Sequence, residues 1–348
     1  MDQHLNILVQ SSDYYAPFAG VMLTSLFENN KDISCITVYL MTSNMSERNM
    51  ERYRLLAQQY GRTIKMIDVS KIDRLLEEKH IPKYNGSYAP YYKIFALSFI
   101  EDDLDRLIYL DSDMIVCGSL SKLTSIDIGE KNAMGMCLDQ MSDRYRRYIN
   151  GKHTDYYNTG MILIQVKTWT AQNCAEKVVN YLVNTPPGRG LYADQDVLNP
   201  VLAGHIATLP LTYNLPTGTL LFSDYHRFKS AFGVKRYYSA EEYDEAQKNP
   251  VIWHFIGLFN PKPWTVHVDF PEQSIETWPV KELWQKYLAQ SLWSDFVPSA
   301  KKLTPLGKAE YICFRTMPCT LFAFLRRTVS DIYMWLQVVK LQRKQKAQ

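Results

Sequence analysis

A chain of 348 residues has room for one large α/β domain and an appendage. Its 46% hydrophobic and 22% charged residues are those of a globular protein. The net charge of +3 is uneven: residues 301–348 carry ten Lys or Arg against two acids, Glu310 and Asp331, leaving 29 basic and 34 acidic residues before them. A near-neutral body with a basic tail argues for an anionic surface as partner and against a nucleic-acid groove over the fold.

The six cysteines include no C-x-x-C pair and have no His cluster beside them, so they read as reduced, small apolar residues of a cytosolic protein. Met1-Asp2-Gln3-His4 lacks a basic start and an apolar core, so no signal peptide is expected. No apolar run approaches the roughly 18 residues that a membrane-spanning helix needs.

Leu5 to Val9 predicts a first strand, and Ala16 to Glu28 follows with apolar residues at helical spacing. Ile36 to Met41 predicts a second strand, and Ser46 is the expected N-cap of a helix through Tyr60. Thr63 to Val69 is a third strand, and a helix over about Tyr88 to Phe99 leads to a fourth at Leu107. This β-α-β-α-β-α-β order calls for a mostly parallel, doubly wound sheet. Ala133 to Leu138 and Gly160 to Val166 are further strands, the second apolar enough to be central. Helices are expected near Trp169 to Val183 and Asp194 to Leu202. Residues 210–263 read as irregular, rich in Tyr and Phe.

The organising stretch is LIYLDSD at residues 107–113. An apolar run fits a strand buried on both faces. Two carboxylates are costly to bury unless paired or bound to a cation, so Asp111 and Asp113 belong where the strand leaves the sheet. Ligands bind at that carboxyl edge in open α/β sheets. At i and i+2 the two acids share a face and can grip a hard divalent ion. An Asp-rich turn is the plainer reading of the same residues.

Three other segments bear on the choice. Asp194-Gln195-Asp196 precedes an apolar run, which an N-cap with acids in the first helical turn explains by itself. His254 ends the strand-like run Val251-Ile252-Trp253, with Gly257 and Lys262-Pro263-Trp264 beyond it. Imidazole beside two carboxylates suits Mn²⁺ better than Mg²⁺, and Lys262 can neutralise a departing diphosphate. Asn158-Thr159-Gly160 heads a strand, where Gly permits a ligand to approach the backbone.

In order, LIYLDSD, YNTGMILI, YADQD and HFIG…KPW resemble the motifs of glycosyltransferase family 8 over about residues 5 to 270. These are retaining enzymes of the GT-A fold. The resemblance implies a single GT-A type, Rossmann-like α/β domain, taken here as residues 1–296; the helical basic tail over 297–348 lies outside the resemblance and is read from its charge and apolar spacing. The resemblance also implies that Asp111, Asp113 and His254 bind Mn²⁺, with Mg²⁺ as the other option, and the diphosphate of a UDP-sugar. Ser112 and Gly257 join the donor-binding set, and Lys262 contacts the phosphates. Asp139, Asn158, Asp194 and Gln195 hold the donor sugar, Gln195 near the anomeric carbon. Tyr15 matches the aromatic residue that stacks on uracil. The chain departs from the family at Ser12, where many members have Asp, and at Lys93, where Arg is usual.

The expected reaction is transfer of galactose or glucose to a glycan acceptor in cell-surface polysaccharide or lipopolysaccharide synthesis, or onto a protein-linked glycan. Retention by double displacement needs Asp194 or Asp196 as nucleophile, since the Gln195 amide is a weak one. A front-face route, in which the leaving phosphate guides the acceptor in, needs neither and is the expected one. A phosphohydrolase using the Asp111-x-Asp113 strand end is the alternative, but such enzymes carry the motif near the chain start, whereas 110 residues precede it here. A nucleotidyltransferase needs a Gly-rich loop after the first strand, and residues 10–15 contain no Gly. A binding module without catalysis would be told apart by turnover of the donor alone.

In the tail, Leu321, Leu325, Val329, Ile332, Leu336 and Val339 form one helical stripe, widened by Phe322, Phe324, Tyr333 and Trp335. Arg326, Arg327 and Asp331 interrupt it, which suits an interfacial helix on an anionic membrane better than a span. The expected location is cytoplasmic, on the inner face of the plasma membrane, with a lipid-linked acceptor in reach. Docking on the protein's own body or on a second subunit is the alternative.

Overall fold

The computed structural model describes residues 4–151, 155–185, 190–222, 224–256, 262–267, 279–297, 299–301 and 304–346. The first half alternates β1 (His4–Gln10), α1 (Ala16–Glu28), β2 (Cys35–Thr42), α2 (Glu47–Tyr60), β3 (Thr63–Asp68) and α3 (Val69–Glu78). A short helical stretch with α4 (Tyr92–Phe95) at its centre leads into β4 (Arg106–Leu110) and β5 (Met114–Val116). Then come β6 (Met134–Leu138), α5 (Asp143–Asn150), β7 (Tyr157–Gln165), α6 (Val166–Ala171), α7 (Cys174–Asn184) and α8 (Gln195–Val201). Next are β8 (Ile206–Thr208), β9 (Leu215–Pro216), α9 (Tyr225–Phe232), α10 (Ala240–Lys248) and β10 (Ile252–His254). β11 (Thr265–His267), α11 (Pro279–Gln290), β12 (Ser299–Lys301), α12 (Pro305–Thr316) and α13 (Cys319–Lys346) complete the chain.

The main sheet has seven strands in the order β3-β2-β1-β4-β7-β6-β8. All its pairings are parallel except those of β7, which runs antiparallel to both β4 and β6. Strand order reverses between β1 and β4, and ligands bind at such switch points. Ile7, Leu8 and Val9 of β1 and Leu107 to Leu110 of β4 are all buried, as strands covered on both faces must be. A small second sheet, β5-β10-β9, sets His254 opposite Met114 and so brings β10 to the end of β4.

Local chemistry explains where the expected elements shift. The third strand ends at Asp68, not Val69, because the Asp68 carboxylate accepts from Ser70 N at 2.9 Å and caps α3, a helix absent from the sequence expectation. The expected helix over 88–99 breaks into 3₁₀ turns on either side of α4. Asn173, in the left-handed region at φ 52°, divides the helix expected over 169–183 into α6 and α7. The stretch 210–263 is not irregular throughout: α9 and α10 lie in it, and α10 opens on a Ser239–Glu242 capping box. Its Tyr and Phe residues form an aromatic cluster around Phe228, with Phe222, Phe232, Tyr237 and Tyr243.

Gly20 in α1 admits Trp293, whose ring lies 2.2 Å from where a Cβ would be, and Trp293 Nε1 donates to Asn49 at 2.8 Å. This anchors the segment after α11 to the sheet domain. The tail's inner face docks on the body: Phe322 and Ala323 are buried in the main core, Met334 is buried with Tyr145, Ile149 and Tyr156, and on α9 Arg326 donates to Ala231 O at 2.9 Å with its guanidinium 4.6 Å from the Phe232 ring centre. Among the described residues no helix is long and apolar enough to cross a membrane.

Candidate active site

At the carboxyl end of β4 the chain turns outward, and three hydrogen bonds fix Asp111 and Ser112 there. Tyr109 donates to Asp111 Oδ1 at 2.5 Å, Asp111 N donates to Gly160 O at 2.8 Å, and Ser112 donates to Gln10 O at 2.5 Å. His254 Nε2 stands 3.7 Å from Asp111 Oδ2 and 3.4 Å from Asp113 Oδ1. One ligand atom from each of Asp111, Asp113 and His254 lies within 4.8 Å of the others.

These residues fit a divalent cation. Asn214 Oδ1 is 2.9 Å from His254 Nδ1, while Asn214 Nδ2 donates to Asn158 Oδ1 at 2.9 Å. The second bond turns the Asn214 oxygen toward the imidazole, so Nδ1 keeps its proton and Nε2, facing the carboxylates, is the atom a cation would take. Gly160 keeps the space open: a Cβ there would meet His254 Cε1 at 2.3 Å and Asp111 Oδ2 at 2.9 Å. β7 is shaped for this approach. Its register with β6 jumps from Met136↔Ile162 to Cys137↔Asn158, a bulge that puts Thr159 and Gly160 against the site. The strand expected from Gly160 thus begins earlier, at Tyr157, with the bulge inside it.

Two ammonium groups balance the acids. Lys93 is buried, with Nζ 3.0 Å from Asp194, 3.5 Å from Asp111, 3.1 Å from Thr159 O and 4.1 Å from the Tyr109 ring centre. Burial opposes its charge, but Asp111 and Asp194 outweigh this and hold its pKa above the usual lysine value. Lys262 pairs with Asp113 Oδ2. Burial pushes the Asp113 carboxyl up, yet Lys262 and His254 more than offset it and hold it below the usual range. Asp111 lies above its usual value because burial, helped by Asp113, exceeds the pull of Lys93 and His254.

The expected residues divide between two cavities. A cavity of about 490 Å³ is lined by Ser12, Tyr15, Lys93, Asp111, Ser112, Asp113 and Asp194, with Tyr15 half-exposed at one end. A second, of about 360 Å³, is lined by Asp139, Asn158 and Gln195 among others. The walls are joined through a polar cluster. Asn158 donates to Asp139 at 2.8 Å, and Gln195 accepts from Thr159 N at 3.2 Å. Burial raises the Asp139 carboxyl despite its bonds to Asn158 and Gln195.

Asp196 is not brought to either cavity. Both its oxygens accept phenol hydrogens, from Tyr145 and Tyr156, and Tyr192 N donates to it at 2.7 Å. It braces the loop before α8 and lines neither of these two cavities. Asp13 is taken up likewise, accepting from Ser46 N, Ser46 Oγ and Asn49 Nδ2, which leaves Ser12 to line the cavity. Gly257 lies outside the described residues. Sequence reasoning missed Asn214, the Thr159 carbonyl and the α13 residues that line the second cavity. Asn214 and the α13 residues stand in no motif, and Thr159 acts through its backbone, which its side chain does not announce.

The comparisons agree with this geometry. The family model described as Glycosyl transferase family 8 matches residues 6–267. General stress protein A of Bacillus subtilis is 27% identical over 277 residues, covering 78% of this chain and 91% of its own. A lipopolysaccharide 1,2-glucosyltransferase of Escherichia coli is 27% identical over 258 residues, 72% of this chain and 70% of its own. Among solved structures, the galactosyltransferase LgtC in complex with donor and acceptor sugar analogs matches with a TM-score of 0.64 and 22% identity, over 83% of this chain and 96% of that one. That last likeness is one of fold.

Proposed function

The chain belongs to glycosyl transferase family 8 and is a glycosyltransferase, and from that premise we propose that it moves galactose or glucose from a UDP-sugar to a glycan acceptor with retention of configuration. The observation that carries this reading is the convergence of Asp111, Asp113 and His254 beside a cavity that Asp111, Asp113 and the half-exposed Tyr15 line together. A cation site and an exposed ring sharing one cavity suit a nucleoside diphosphate.

Asp111, Asp113 and His254 would hold the ion, with Mn²⁺ favoured over Mg²⁺ by the imidazole. Such an ion supplies charge stabilisation to the diphosphate as it departs. Tyr15 stacks on the base. Lys262, paired with Asp113 in this structure, is within reach of the same space and counters phosphate charge. Asp139, Asn158 and Gln195 present donors and acceptors to the sugar hydroxyls.

The surroundings of the candidate nucleophiles favour the front-face route. Asp194 is clamped by Lys93, which lowers the reactivity of its lone pairs. The Gln195 amide is engaged at both ends, accepting from Thr159 N and donating to Asp139 at 3.4 Å. Neither is a free nucleophile, so the acceptor oxygen enters on the face that UDP leaves.

Residues 1–296 form the catalytic domain in this reading, and residues 297–348 attach it to the cytoplasmic face of an anionic membrane. There a lipid-linked glycan of the cell surface would be the acceptor. The relative named as a lipopolysaccharide glucosyltransferase supports that class of product. The decisive experiment is a screen of UDP-sugars for UDP release with and without Mn²⁺, then with candidate acceptors. Release restored by Mn²⁺ after chelation is the expected result. Full turnover in excess chelator removes the metal from the mechanism.

A further inference from the structure

The second cavity has a wall that no motif supplies. Arg326, Ser330, Tyr333 and Met334 of α13 line it opposite Asp139, Asn158 and Gln195. Their spacing of four, three and one places them on a single helix face. At about 360 Å³ the cavity falls within the range of small-ligand sites.

Two residues that line this cavity each carry a buried polar atom without a hydrogen-bond partner among the described residues. Gln140 Oε1 is buried with none, and so is Arg326 Nε, whose nearest counter-charge is Glu310 at 3.6 Å. Buried polar groups are ordinarily satisfied, so an acceptor and a donor without hydrogen bonds in the lining residues leave capacity for a ligand carrying both functions. A sugar hydroxyl is donor and acceptor at once. Tyr192 and Tyr333, 44% and 58% exposed, add two phenol rings of the kind that pack on sugar faces.

The neighbouring face of the same helix is apolar and open. Leu325, Val329, Ile332 and Leu336 are each at least 40% exposed, spaced as one stripe beside the cavity residues. One helix thus presents polar groups to a sugar-sized space and a hydrocarbon-like surface next to it.

Resting on the glycosyl-transfer reading, we infer that α13 is the wall of the acceptor subsite and that the acceptor is amphiphilic: a glycan on an apolar carrier. The sugar head sits against Gln140, Arg326 and Tyr333. The carrier runs along Val329, Ile332 and Leu336.

The test uses the full-length protein and two readouts. Donor hydrolysis is followed as UDP release without acceptor. Transfer is followed with methyl, octyl and dodecyl glycosides of glucose, galactose and lactose. The expected result is transfer whose KM for acceptor falls at least ten-fold from methyl to dodecyl. Ser330→Trp, which fills the cavity, lowers transfer at least ten-fold more than hydrolysis, and Ser330→Ala restores it. Val329→Ser with Ile332→Ser flattens the chain-length dependence. Hydrolysis without transfer to any alkyl glycoside overturns the inference. So does equal transfer by Ser330→Trp and the parent, or a loss of hydrolysis and transfer in step. Absence of donor hydrolysis in the parent protein instead overturns the glycosyl-transfer reading itself.

Discussion

Asn214 does for His254 what a motif residue rarely does alone: it selects the tautomer. Its oxygen faces Nδ1 only because its amide nitrogen is committed to Asn158, whose own amide is committed to Asp139. The chain of bonds joins the sugar cluster to the cation cluster. Partners of this kind typically tune metal affinity by roughly 10- to 100-fold. Asn214→Leu is therefore expected to weaken Mn²⁺ binding by about that factor, read directly by titration of free Mn²⁺. Affinity unchanged in that variant would mean that the imidazole is oriented by packing alone. Asp113→Ala removes a ligand outright and is expected to cost on the order of 10²–10³ in rate, with the fold retained. Asp196 gives the contrasting case. Asp196→Asn weakens two buried phenol bonds and should lower stability by about 1–3 kcal/mol, seen in thermal melting. Its turnover at a temperature well below the melt should stay near that of the parent. A drop of several orders of magnitude without a change in melting would return Asp196 to the chemistry.

β7 is the element on which the site depends most. Its bulge lets Gly160 pass within van der Waals range of His254 and Asp111, so Gly160→Ala forces a Cβ into both. A displacement of about 1 Å at a reacting constellation costs on the order of 10²-fold. We expect Gly160→Ala to lose activity by about that amount while its melting temperature changes little, because β7 keeps its ladder to β4. Near-parental activity would show that the imidazole can yield without cost. Elements also mark what could be read in advance. Asp111 and His254 are legible because each closes a short apolar run, a pattern along one dimension. Asn214 closes nothing. Its role appears only when β9 lies beside β10 and pairs Pro216 with His254. The Asp68 cap of α3 is legible in principle, since Val69, Ile72 and Leu76 follow it at helical spacing, but the preceding strand runs into it without a break. The inner face of α13 is the hardest case: Arg326 and Ser330 are polar, and nothing local tells that they meet Phe232 and the second cavity.

The tail determines how the molecule as a whole meets its surroundings. Its inner face is taken by α9, so cutting the chain at residue 297 would uncover Phe222 and Phe232 as well as remove the helix. Substitution on the outer face separates attachment from folding. Phe324 is 65% exposed and Val329 58%, both on the stripe that faces away from α9, with Arg327 exposed among them and Lys340 and Arg343 exposed beyond. Under the proposed attachment such a helix would lie flat, with rings and aliphatic chains below the headgroups and cations beside the phosphates. The intact protein is expected to sediment with vesicles containing an anionic lipid at low salt, and to do so less as salt is raised, because screening shortens the reach of the cations. Phe324→Asp with Val329→Asp places two carboxylates at that surface, where each is repelled by the headgroups and costly to immerse. Sedimentation should then vanish while melting temperature and donor hydrolysis stay close to parental, since neither side chain supports the core. Binding that persists in this variant would locate attachment elsewhere on the surface. Failure of the parent to bind anionic vesicles at low salt would assign the stripe to a protein partner.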